Sequence, residues 1–320
     1  MRRGQNPAKF VDHVALPQAV TVAVLTYAPF LSGYFAQSLA VIQTCLESIW
    51  QNTDHPHDIL VFDNGSCKEV VDFLVEARQA GRIQYLILSD QNLGKGGAWN
   101  ILFGAAPGEV IAYTDSDALF HPGWLSRSLE ILNTYPNVGM VTSRPFRTPE
   151  EFYTSTLRWA ESAPGVMVER GQFIPWDVFR EFDMSLGQAE EEVRQRYQST
   201  EDIRLTFQGV QAHVGASHYQ FVARKDVLMQ FVPFQMDRPM GQVRQLDRRM
   251  NEAGYLRLMT PEPLMMNLSN TLERAPVSPH KVVRAARPRS WRRRLLDLPP
   301  VRRVLMAFYD AVFRWYYAGR

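Results

Sequence analysis

Cysteine is scarce in this chain: Cys45 and Cys67 are the two in 320 residues. Two thiols cannot frame a disulfide scaffold, and the count suits a reducing, cytoplasmic setting. Cys45 falls on the apolar side of a predicted helix and reads as a core thiol. Long apolar runs are missing too. No segment offers the ~18 uncharged apolar residues that a membrane span needs. The basic start, MRRGQNPAKF, is not followed by the apolar block of a signal peptide. Repeats and low-complexity tracts are absent, so the chain reads as globular. With 46% hydrophobic side chains it can bury a full core, as one large domain with an appendage.

The formal net charge is only +2, but it is unevenly spread. From Thr271 onward 12 Lys and Arg face three acids, while the preceding residues hold 23 bases against 30 acids. An acidic body with a basic tail points to an acidic partner for the tail alone. We expect an N-terminal arm over 1–17, a catalytic-type domain over 18–270 and a basic aromatic tail over 271–320. Around Trp291, Arg292–294 and the apolar positions of 301–317, the tail has two readings. One is a helix lying against anionic lipid at the inner face of the cell membrane, a peripheral contact. The other is a helix packed on protein, with its arginines in water. Nucleic acid is not expected, because the body is acidic and no binding module accompanies the arginines.

Between these ends two periodicities alternate. Apolar runs at 20–25, 59–62, 83–88, 110–113 and 138–141 read as strands, mostly buried on both faces. Leu39, Ile42, Leu46 and Ile49 recur at helical spacing, as do Val70, Val71, Leu74 and Ala77. Ser66-Cys67-Lys68-Glu69 matches a capping box opening the second helix. Strand and helix in turn give an α/β fold, a mainly parallel, Rossmann-like sheet with helices on both faces. Residues 149–208 break the rhythm and read as a lid or a plain connecting segment, with 162–175 irregular. Strands return at 210–214 and 219–223, and a helix over 247–254 stops at Gly254.

Strand ends on such a sheet are where ligands bind. The fourth run stops at Asp115-Ser116-Asp117. Two carboxylates that close repel, and a hard cation between them removes the repulsion. Mg²⁺ or Mn²⁺ suits this, taking one or two protein carboxylates and filling its remaining positions with water and phosphate oxygens. A helix-capping turn is the alternative for such a pair taken alone. Earlier strand ends carry Thr26-Tyr27 and Asp63-Asn64-Gly65-Ser66, where Asp63 serves either a base or ribose or the turn itself. The third loop, Asn92-Leu93-Gly94-Lys95-Gly96-Gly97-Ala98-Trp99-Asn100, can bring backbone N–H groups to an anion. It is neither a P-loop, lacking the Lys-Ser/Thr pair, nor a dinucleotide fingerprint, because Trp99 replaces the third glycine. His55-Pro56-His57 reads as a solvated turn, and His218 as a structural histidine or a contact to a sugar hydroxyl.

Taken in order, Leu25-Thr26-Tyr27, Asp63-Asn64-Gly65-Ser66, Asn92-Leu93-Gly94 with Asn100, Asp115-Ser116-Asp117 and Leu246-Asp247-Arg248-Arg249 before Gly254-Tyr255 resemble a family 2 glycosyltransferase with the GT-A fold. The resemblance implies an inverting transfer of sugar from a nucleotide-diphospho-sugar donor to a sugar or lipid-linked acceptor hydroxyl. It implies that Thr26 and Tyr27 border the nucleoside, that Asp63 binds the base, and that Asn92, Gly94 and Asn100 line the donor pocket. Asp115 would lie near the ribose, Asp117 would hold the cation, and Asp247 would be the catalytic base. Pairing of Asp247 with Arg248 or Arg249 on a solvated helix face is the structural alternative. The chain departs from the pattern at Ala28, at Gln245, and at Asn267, where a metal-binding His is common. An amide oxygen can still ligate a hard cation. A nucleotidyltransferase and a non-catalytic nucleotide-sugar scaffold are the competing readings. The first would need a Gly-rich basic loop near the first strand, and the second would bind donor without turnover.

Overall fold

The computed structural model describes residues 5–237, 243–273 and Ala311. Two units divide the chain, Met1–Ala275 and Pro276–Arg320. The first unit holds every strand among the described residues, and the strand-end residues. Both readings of the tail fall on residues outside those described, apart from 271–273 and Ala311.

Strand β1 (Val20–Thr26), helix α1 (Ser38–Asn52), β2 (Asp58–Asn64), α2 (Lys68–Gln79), β3 (Tyr85–Ser89), α3 (Gly94–Ala105) and β4 (Val110–Asp115) alternate as the periodicity predicts. β1 runs parallel to β2 and β4, and β2 parallel to β3. Successive side chains of a strand point to opposite faces, and here both faces are covered. Val22, Val24, Ile59 and Val61 pack with Cys45, Leu46 and Ile49 of α1. Ala23, Leu25, Leu60 and Phe62 pack with Trp99 and Phe103 of α3 on the other side. Each of the larger side chains contributes roughly 1.5–3 kcal/mol by leaving water, so the strands are apolar without alternation. β3 differs from the expected burial. It ends the sheet, and Tyr85 and Leu88 are 39% and 47% exposed.

The chain continues through β5 (Ala118–Phe120), α4 (Trp124–Thr134), β6 (Val138–Thr142), α5 (Thr154–Ser162), β7 (Val166–Gly171), α6 (Trp176–Ser185) and α7 (Glu190–Ser199). Then come β8 (Asp202–Phe207), β9 (Val210–Val214), β10 (Gln220–Arg224), α8 (Lys225–Met229), α9 (Arg244–Glu252), β11 (Leu256–Met259) and β12 (Met265–Asn267). One ten-stranded sheet has the order β3-β2-β1-β4-β10-β6-β11-β9-β8-β7. β10 lies antiparallel between β4 and β6, β11 parallel to β6, and β7, β8 and β9 form an antiparallel meander. A parallel half thus continues into a mixed half, while β5 and β12 form a separate ribbon.

Three local readings change. The stretch read as irregular contains β7, which pairs with β8 and whose apolar run is only the three residues Val166-Met167-Val168 before Glu169-Arg170-Gly171. The expected lid is built into the sheet by β7 and β8, with α6 and α7 packed around Ile174, Phe179 and Val193. Cys67, not Ser66, caps α2, and no side chain bonds there. The Ser66 hydroxyl instead accepts from the Ala28 N–H at 3.0 Å, joining two strand-end loops. Cys45 is a buried thiol, as expected, and burial pushes it well above the ordinary thiol range.

Candidate active site

Register places the strand-end residues side by side. Thr26 sits opposite Asp63, and Leu25 opposite Asp115, so β1, β2 and β4 deliver their polar ends to one edge. Thr26 Oγ1 donates to Asp63 Oδ1 at 2.9 Å, and Ser66 N to Asp63 Oδ2 at 2.9 Å. Both Asp63 oxygens therefore hold the edge together, leaving lone pairs rather than a free carboxylate for a ligand. Asn64, not singled out from the sequence, bridges to the third loop: its amide donates to Asn92 Oδ1 at 3.0 Å and accepts from Leu93 N at 2.9 Å. Asn92 Oδ1 also accepts from Gly94 N at 2.8 Å. Gly65, at φ +86°, lets these loops meet, since a Cβ there would come 3.0 Å from the Gln91 carbonyl carbon. The Tyr27 ring stands edge-on to Phe35 at 6.1 Å.

Asn100 is used differently from the expected role. Its side chain exchanges two hydrogen bonds with the Phe234 backbone, at 2.9 and 2.6 Å, and so clamps α3 to a segment 134 residues further on. Trp99, where a dinucleotide loop would have glycine, is fully buried against Phe103, Tyr113, Phe221 and Phe234.

The acidic pair follows β4. Asp115 accepts from Lys95 Nζ at 2.6 Å and from the Tyr113 hydroxyl at 2.5 Å. Asp117 is tied through its backbone, its carbonyl accepting from Leu268 N at 2.7 Å. Burial, and then the charge of Asp115, push the Asp117 carboxyl up to about 7, against a smaller opposing pull from Lys95. A group so placed is short of positive charge. Asn267 is brought beside it by the β12–β5 ribbon, pairing with Ala118. Its amide donates to Ser185 Oγ at 3.1 Å and accepts from Ser269 N at 3.0 Å, leaving one lone pair on its oxygen. Among the described residues, no three His, Cys, Asp or Glu side chains converge as a metal cage. Two carboxylates and an amide oxygen are hard donors, and the set fits a cation that draws its other ligands from water and phosphate.

Asp247 lies in the first turn of α9, 4% exposed. Its partners are not Arg248 or Arg249 but Arg257 of β11 on Oδ1 and His218 Nδ1 on Oδ2, the latter at 2.5 Å. Burial alone would raise this carboxyl, but the Arg257 guanidinium and His218 outweigh it and hold it below the ordinary carboxylate range. Arg257 is itself buried and bonds the carbonyls of Phe152 and Ala216, both at 2.7 Å. The sequence carried a signal for it, a lone charge inside the apolar strand Leu256-Arg257-Leu258-Met259.

One cavity of about 1180 Å³ is lined by Asp115, Asp117, Asp247, Asn267 and His218 together. Other parts of its wall come from α6, α7 and the segment before β8, including Arg196 and Thr200. Thr26, Asp63, Asn92 and Gly94 occupy the neighbouring strand ends and loops, beside Asp115.

These features define an α/β domain whose acidic and amide groups meet at strand ends around an open cavity. Residues 35–187 match the family model described as glycosyl transferase family 2, the family that the ordered motifs resemble. An uncharacterized glycosyltransferase of Nostoc sp. is 29% identical over 100 residues, 31% of each chain. Solved structures with a similar arrangement include the mannosyltransferase PcManGT from Pyrobaculum calidifontis, in complex with GDP-Man and Mn²⁺. It is 18% identical, over 78% of this chain and 56% of that one, at a TM-score of 0.45. S. aureus TarS 1-349 is 13% identical, over 78% of this chain and 59% of that one, at a TM-score of 0.43. The matches thus span about a third of the curated relative and little more than half of each solved chain.

Proposed function

We propose that the chain is an inverting, metal-dependent glycosyltransferase that moves a sugar from a nucleotide-diphospho-sugar to the hydroxyl of a sugar or lipid-linked acceptor. The observation that carries this is one cavity bordered by two opposite kinds of acid: Asp117, short of positive charge beside the Lys95-paired Asp115, and a charge-balanced Asp247. Thr26, Tyr27, Asp63, Asn92 and Gly94 border the nucleoside side, and Asn100 supports that side through its clamp on Phe234. Asp117, with Asp115 and the Asn267 amide oxygen, would hold Mg²⁺ or Mn²⁺. When bound, that ion neutralises charge building on the departing diphosphate.

The chain's own residues do the rest. Lys95, anchored on Asp115, brings a second positive charge to the phosphate side. The basic group of the Asp247 cluster faces the acceptor hydroxyl and takes its proton. Attack from the face opposite the diphosphate inverts the anomeric carbon in a single displacement. Anomer-resolved NMR of the sugar product tests the stereochemistry, and retention would refute it. Thermal shift across nucleoside diphosphates, with and without manganese, tests the ligand class, since a binder stabilises the folded chain by mass action. Donor bound but never turned over would favour the scaffold reading.

A further inference from the structure

The 215–219 turn before β10 is fixed at three points. Gly215 N donates to the Arg257 carbonyl at 2.9 Å, Ser217 N to Thr142 Oγ1 at 2.9 Å, and the Tyr219 carbonyl accepts from Asp115 N at 2.9 Å. His218 is therefore held one residue from a direct tie to the strand that carries the acidic pair. Its side chain is 25% exposed and borders the cavity, whereas that of Asp247 behind it is 5% exposed. Both Asp247 oxygens are engaged, one by Arg257 and one by His218. His218 and Asp247 both line the cavity, and the imidazole presents more of its surface there than the carboxylate does.

The tautomer follows from charge. A carboxylate beside a buried guanidinium stays ionised and can only accept, so His218 Nδ1 carries a hydrogen, and in the neutral imidazole Nε2 then carries the lone pair. Nδ1 is the ring nitrogen bonded to Asp247, so Nε2, across the ring from it, is the nitrogen that this bond leaves unused. We propose that His218 Nε2 is the atom that takes the acceptor's proton, and that Asp247 is a positioning residue acting through His218. The assignment rests on the glycosyl-transfer reading and sharpens it.

In that step the acceptor O–H proton passes to Nε2 while the acceptor oxygen bonds to the anomeric carbon. The anomeric C–O bond to the nucleoside diphosphate breaks, and its electron pair leaves with the diphosphate. The imidazolium that results faces the Asp247 carboxylate, whose charge Arg257 from β11 already balances. Arg244 of α9 also borders the cavity, Lys95 of α3 acts on Asp247, and Asp115 and Asp117 line the same cavity. The same constellation, a base held in one tautomer by a buried acid, recurs wherever a hydroxyl is activated by imidazole.

The test starts with the full wild-type chain. UDP, GDP and related diphosphates are screened by thermal shift with manganese, and sugar release to water is followed for the donor built on the best binder. His218→Gln and His218→Gly should bind that diphosphate as the wild type does, with the KM for donor unchanged. Their kcat should fall about 10²–10⁴-fold, the worth of a general base, and added imidazole should restore His218→Gly. Asp247→Asn should lower kcat, not donor affinity, because an amide no longer fixes the tautomer. Wild-type kcat in His218→Gln, or no imidazole response in a folded, nucleotide-binding His218→Gly, overturns the assignment and returns the base role to Asp247. A wild type that binds none of the diphosphates overturns the transfer reading itself, a failure visible before any variant is made.

Discussion

Asp117 stands in the turn after β4 beside a second carboxylate, whereas Asp247 stands in the first turn of α9 between a guanidinium and an imidazole. Both border the same cavity, Asp247 buried and Asp117 half-buried. The first has its carboxyl pushed up to about 7, and the second is held below the ordinary range. Burial acts in the same direction on each, so neighbours decide the outcome. A like charge leaves Asp117 in need of a cation, and Arg257 leaves Asp247 balanced. Paired acids with opposed environments are the usual mark of divided roles in one site. In the proposed reaction the division separates leaving-group chemistry from acceptor chemistry.

The largest effect expected concerns the unbalanced acid. Asp117→Asn removes the ligand proposed for the cation and should cut manganese-dependent sugar release about 10³-fold, corresponding to several kcal/mol of lost charge stabilisation. Steady-state turnover with and without EDTA reads this. Undiminished turnover would erase the contrast between the two acids.

Arg257→Met probes the balanced acid. Removing one partner of a buried pair leaves the other charge stranded, at a cost of about 3–5 kcal/mol. Urea unfolding should show that loss, and adding Asp247→Asn should recover part of it. A loss below about 1 kcal/mol, the range of exposed pairs, would mean that Arg257 does not balance Asp247.

The two acids should also differ in the sign of their pH dependence. A carboxyl at about 7 in the fold and at 3.8 when free in water costs stability as pH rises from about 4 through 7. Asp247 works the other way: its contribution is full above the ordinary carboxylate range and is lost as pH falls through its lowered value. Asp117→Asn should therefore be more stable than wild type at pH 8, by about 1–3 kcal/mol, and equal to it near pH 4. Thermal melts at both pH values, without added metal, would reveal it. A variant that is less stable at pH 8 would remove the strain argument.

The smallest effect lies outside the pair. Asn100→Ala should cost about 1–2 kcal/mol in thermal unfolding, the worth of two hydrogen bonds to backbone. It should leave nucleoside-diphosphate affinity nearly intact. A large loss of affinity would restore Asn100 to direct contact with the donor.

Much of the parallel half was readable from the chain. Strands such as β1 and β2 are covered on both faces, so their sequences are continuous apolar runs, and the carboxylates that end β4 break such a run conspicuously. Less of the mixed half was readable. β7 is a short hairpin strand at the far end of the sheet, and with Met167 and Val168 exposed its apolar run stops after three residues, too short to stand out. Asn100 matched a motif position, yet its hydrogen bonds go to Phe234, a contact made by tertiary packing that no local pattern encodes. Asp247 stands out in the sequence as a candidate base, and Arg248 or Arg249 beside it along the chain are the partners of the alternative reading. The ones it has come from β11 and the turn before β10, and only Arg257, a charge in an apolar strand, left a trace.

Calorimetric titration of manganese at pH 7, in buffers of different ionisation enthalpy, tests the central claim most directly. A carboxyl pushed up to about 7 is partly protonated there, so binding at Asp117 should release a fraction of a proton per chain, and Asp117→Asn should release none. Manganese binding of equal strength and equal proton release in wild type and variant would contradict the account.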